Sequence, residues 1–257
     1  MELGLPIDSA TALQFILVML AALLAGLAGG LSGFGGGLIL PPVLAPILGA
    51  KAVVPVVSVA MLLANGHRLW IYRKLLDGRV LAITLACALP CTLLGTLIYA
   101  RLSAEAISLM LGIFLVLAVP VSRFCQRRRV RVGFRGLAIG SGLFGLGSGT
   151  TTGMGMFLAP LLLGAGLTGQ TFLATDAAIS TAVNITKMIA FGQQEVLNSS
   201  LLLMGLMLGC LTIPGNYLGR WLVQRTSSRL HTRLMEILII LGGVSLLLPP
   251  LLAWLRT

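Results

Sequence analysis

The chain has 257 residues, 57% of them hydrophobic and 10% charged, against about 25% charged in a typical soluble domain. Charge this scarce cannot coat a water-facing surface, so a water-soluble domain is excluded. The formal net charge of +11 does not point to nucleic acid, because the Lys and Arg cluster between apolar runs, as they do in the cytoplasmic loops of membrane proteins.

In chain order, apolar runs able to cross a hydrocarbon core of about 30 Å as helices occupy residues 10–31, 80–100, 104–121, 196–219 and 234–255. They are continuous rather than alternating, which speaks against a β-barrel. The predicted fold class is an all-α polytopic membrane protein with about eight transmembrane helices. The first run follows Glu2 and Asp8 with no nearby Lys or Arg, which does not fit a signal peptide. Next comes GLSGFGGGL, Gly30 to Leu38, with Pro41 and Pro42 just beyond. Glycine this dense inside an apolar region predicts a broken or re-entrant element. Non-helical backbone at membrane depth is tolerated where it is buried in protein or lines a cavity. Gly29, Gly33 and Gly37 also fit the small-xxx-small spacing of tightly packed helices. A basic loop follows at Arg68 to Arg79, and a linker with six arginines runs from Arg123 to Arg135. Cys87, Cys91, Cys125 and Cys210 show no ligand pattern with His67 or His231, so neither a metal nor another cofactor is expected.

The chain then repeats itself. Gly142 to Gly149 lies over Gly30 to Gly37, Val183 to Phe191 over Ala64 to Tyr72, and Ile213 to Ser227 over Leu89 to Ser103. These matches predict two transmembrane repeats, residues 10–122 and 135–255, around a basic cytoplasmic linker at 123–134. The basic loop of the second repeat, Arg220 to Arg233, comes one loop later than that of the first. Placing both loops and the linker in the cytoplasm collects most of the Lys and Arg on one side and requires inverted repeats.

Duplicated membrane halves suit a transporter whose substrate sits between them. Gly33, Phe34, Gly35 and Gly36, with Gly145 and Gly147 opposite, are candidates to present backbone N–H groups at the bends. Ser148, Thr150, Thr151 and Thr152 add hydroxyls beside the second bend. Asn65 and Arg68 in the first half match Asn184 and Lys187 in the second. An amide and a cation from each half would suit a small oxyanion. Asp176, a turn and more before Asn184 on the same predicted helix, is the proton-coupling candidate, because an ionised carboxylate only accepts hydrogen bonds.

The repeated glycine-proline hairpin, the "ATDAAIS…NITK" helix and the "P…LG…R" signature together resemble the sulfite exporter TauE/SafE family of membrane permeases. The resemblance covers roughly Phe15 to Leu248. It implies a multi-pass bacterial inner-membrane protein that moves a small anion such as sulfite or a sulfonate. The partners expected are that anion, the lipid bilayer and a coupling proton, with no nucleic acid; a homo-oligomer is left open. The alternatives are a membrane-embedded enzyme, which lacks a nucleophile–base pair or metal set here, and an anion channel.

Overall fold

The computed structural model describes residues 9–32, 36–127, 131–223, 240 and 243–248. Among them are nine α-helices: α1 (Ser9–Ser32), α2 (Gly36–Leu48), α3 (Ala50–Tyr72), α4 (Gly78–Arg101), α5 (Ala104–Arg127), α6 (Phe134–Thr150), α7 (Gly155–Gly164), α8 (Gly169–Gln193) and α9 (Ser199–Val223). A 3-10 turn, Arg73–Leu75, extends α3. No strand occurs among the described residues. The all-helical fold class follows directly from the apolar runs, because a helix satisfies its own backbone hydrogen bonds without water.

Among the described residues, two segments are both long and apolar enough to cross a membrane, Ala50–Leu75 and Gly78–Arg101. The expected span at residues 80–100 is therefore α4. At 1.5 Å per residue, α2 and α7 reach only about 20 and 15 Å, well short of the hydrocarbon thickness. They are the short arms of two broken elements, α1–α2 and α6–α7.

The helix starts are chemically marked. Asp77 caps α4 by accepting from the Val80 N–H at 2.9 Å, Ser103 caps α5 through Ala106, and Asn198 caps α9 through Leu201. Within the helices, Ser58 and Thr92 return their hydroxyls to the carbonyls of Val54 and Ala88. That leaves no lone donor at those apolar positions.

Packing divides the helices in a way the linear halves do not suggest. Helix α1 lies along α9, and α4 lies along α6. Both seams are close enough to need glycine. A Cβ on Gly26 would fall on the Thr212 carbonyl oxygen and 3.0 Å from the Cα of Gly215. A Cβ on Gly145 would fall on the Ala88 carbonyl oxygen, and one on Gly149 would reach the Gly95 Cα at 2.7 Å. One apolar core gathers mainly α1, α2, α3, α5 and α9; the other gathers α4, α6, α7 and α8. Helices α3 and α8 join the two cores.

These seams also correct the repeat register. A single register carries Gly36 onto Gly155, Pro41 onto Pro160, Asn65 onto Asn184 and Arg68 onto Lys187. Helix starts obey it: α2 and α7 at Gly36 and Gly155, α3 and α8 at Ala50 and Gly169. Continued backwards, it sets Gly145 opposite Gly26, not Gly33. The two glycines then do the same job, since Gly26 packs on Thr212 as Gly145 packs on Ala88. The break in the second half is therefore Thr151 to Met154, beyond the glycine cluster rather than within it. Glycine in Gly142 to Gly149 serves helix packing.

Candidate functional site

The start of α2 meets the Thr151–Met154 break. A Cβ on Gly37, in the first turn of α2, would stand 2.9 Å from the Gly153 nitrogen. Gly153 itself has φ +80°, a conformation few side chains accept, and a Cβ there would come within 2.6 Å of Leu38 Cγ. Only glycine at both places allows this approach.

Beside the contact lies a cavity of about 80 Å³, room for a few waters or one small oxyanion. Its wall is shared by α1, α2, α3, α6, α8, α9 and the Thr151–Met154 break. Helices α2 and α7 both begin there, with Gly36, Gly37 and Gly155 in the lining, so two sets of first-turn N–H groups border the space.

The side chains come from equivalent positions. Helix α3 supplies Asn65 and Arg68, and α8 supplies Asn184 and Lys187. Lys187 is 3% exposed, and its Nζ donates to the Thr151 carbonyl at 3.2 Å. Among the described residues it has no carboxylate partner. Arg68 differs: it forms an ion pair with Asp176 of α8, which is also 3% exposed. Thr151 and Thr152 line the cavity with buried hydroxyls that have no hydrogen-bond partner among the described residues. A buried hydroxyl without a partner costs free energy comparable to a lost hydrogen bond, so a ligand acceptor is the natural counterpart. The arrangement is one of donors and a cation around a small space, suited to holding an oxyanion.

A family model described as Sulfite exporter TauE/SafE matches residues 18–246, nearly the whole chain. The chain belongs to the sulfite exporter TauE/SafE family. No curated protein and no solved structure matches it. As a TauE/SafE protein it is an integral membrane permease of a family of sulfur-anion transporters.

Of the residues singled out from the sequence of this TauE/SafE permease, the fold brings Gly36, Asn65, Arg68, Ser148, Asn184 and Lys187 to one cavity. Gly33, Phe34 and Gly35 lie outside the described residues. Gly145 does not line the cavity; it packs on Ala88. Nor does Gly147, which is crowded by Met154: a Cβ there would meet its Sδ at 3.1 Å. Thr150 returns its hydroxyl to the Gly147 carbonyl at 3.1 Å. These three belong to α6, because the helix continues to its last turn where a bend was expected. Asp176 is engaged with Arg68 rather than standing alone on its helix. Thr151, Thr152 and Gly153 complete the site. Their signal in the sequence was the register of Asn65 with Asn184, which places them opposite the first glycine cluster.

Proposed function

We propose that this TauE/SafE permease is a secondary transporter for a small sulfur oxyanion, sulfite or a sulfonate, in a bacterial inner membrane. Access alternates between two inverted repeats, residues 10–122 and 135–255, about a basic cytoplasmic linker at 123–134. About eight helices cross the bilayer, and the α1–α2 and α6–α7 breaks bring backbone to mid-depth. The shared register of the halves and the exchanged seams α1–α9 and α4–α6 support a duplicated architecture.

The observation that carries the reading is Lys187. A buried ammonium with one carbonyl contact and, among the described residues, no carboxylate is costly to maintain. An anion in the adjoining cavity would neutralise it and accept from Thr151 and Thr152. Asn65 and Asn184 would complete the shell from opposite sides. Arg68 would add a second cation, already balanced by Asp176.

Flux of radiolabelled sulfite and alkanesulfonates into liposomes holding the purified protein tests this reading. Wild type should move at least one of them, and Lys187→Met should abolish movement while the protein elutes and melts as wild type does. Failure of wild type to move any sulfur anion, or normal flux through Lys187→Met, would overturn it. Tags at the two ends test the topology: periplasmic ends agree with inversion, and cytoplasmic ends reject it.

A further inference from the structure

The two halves place equivalent cations at the cavity but not equivalent acids. The register that carries Arg68 onto Lys187 carries Val57 onto Asp176. Arg68 therefore has a carboxylate partner across the α3–α8 contact, and Lys187 has none among the described residues. Val57 and Arg68 both line the cavity, so the missing acid is missing at the site itself. Asp176 Oδ1 is buried without a hydrogen-bond partner among the described residues, and its other oxygen meets Arg68. Among the described residues, Arg68 and Lys187 together with Asp176, counted in their ionised forms, carry a formal charge of one positive unit.

We propose that the cavity selects anions of charge −1, and that Asp176 is the residue that sets this rule. The proposal rests on the anion-transport reading above and names the charge class of its substrate. A monoanion such as hydrogensulfite or an alkanesulfonate leaves the filled site neutral. A dianion of the same size leaves one negative charge uncompensated where water is scarce, which is strongly unfavourable. Specificity is then a charge count made by the protein, because the hydroxyl and N–H donors serve any oxyanion alike.

Methanesulfonate and sulfate are the probes, since both present oxygens on a tetrahedral sulfur and differ in charge. Binding to the purified full chain is measured by calorimetry and by competition in the flux assay. Wild type should bind methanesulfonate roughly tenfold or more tightly than sulfate, the size expected for one unit charge in a partly desolvated site. Asp176→Asn leaves two positive charges and should reverse the preference toward sulfate by a similar factor. Val57→Asp supplies the missing acid beside Lys187 and should weaken both anions. Should Asp176→Asn fail to fold around its unpaired arginine, Arg68→Gln combined with Asp176→Asn removes the pair and keeps one positive charge. That double variant should retain the preference for methanesulfonate.

Equal binding of the two anions by wild type would overturn the charge rule alone and leave an anion transporter. Binding of neither would overturn the transport reading with it. An unchanged preference in Asp176→Asn, or a reversed one in the double variant, would also reject Asp176 as the determinant.

Discussion

Gly153→Ala and Gly49→Ala form a matched pair. Both glycines have nearly the same positive φ, +80° and +79°. A Cβ on Gly49 meets nothing within 4 Å, whereas a Cβ on Gly153 overlaps Leu38, with Cγ at 2.6 Å. Leu38 is 1% exposed and cannot swing into open space. A positive φ of this kind costs an alanine about 1–3 kcal/mol, which outweighs the gain from a stiffer unfolded chain. Gly49→Ala should therefore destabilise by about 1–3 kcal/mol. Gly153→Ala should cost a further 1–3 kcal/mol, roughly, for overpacking. It should also push the start of α2 away from the Thr151–Met154 break and lower flux, since Gly153 lines the cavity. Thermal unfolding of both variants in the same detergent, together with sulfur-anion flux in liposomes, measures the difference. Equal melting temperatures for the two variants, with normal flux through Gly153→Ala, would refute the claim that the start of α2 and the Thr151–Met154 break are in close contact.

Three further substitutions probe the frame rather than the cavity. Gly145→Val should destabilise strongly, because its Cβ meets the Ala88 backbone, which cannot step aside; protein yield and detergent melting read this out. Tyr99→Phe should lower stability by about 0.5–1.5 kcal/mol with flux retained, since the hydroxyl donates to the Ala50 carbonyl at 3.0 Å, outside the cavity. Its ring contact with Phe191 should survive. Asp77→Ala removes the cap on α4 and should cost about 1 kcal/mol, visible as faster hydrogen exchange at Val80 and Leu81.

Apolar run length was enough to read the helical class, because a membrane core demands long uncharged stretches whatever their neighbours. The pairing of Asn65 and Arg68 with Asn184 and Lys187 was equally legible, since polar residues are rare in such helices and their recurrence is conspicuous. The glycine clusters were less so. A run such as Gly30 to Gly37 can be laid over Gly142 to Gly149 in several registers, and only the backbone contacts of Gly26 and Gly145 distinguish them. Thr150, Thr151 and Thr152 were all legible as hydroxyls beside the second bend, but they read alike until the end of α6 separates a hydroxyl turned back on its own helix from two lining the cavity. The ion pair of Arg68 and Asp176 joins residues far apart in the chain. No local pattern encodes which carboxylate a cation will meet after two elements pack.

The swapped seams alter what counts as a moving part. Each core borrows a helix from the other stretch of polypeptide, α9 in one case and α4 in the other. A protein severed at the linker would leave each fragment holding one strip of a zipper, so neither should be stable until both are made together. In the proposed alternating cycle, a swing that opens the permease to one side would likewise leave the glycine zippers shut and work along the α3–α8 boundary. The Arg68–Asp176 pair straddles that line.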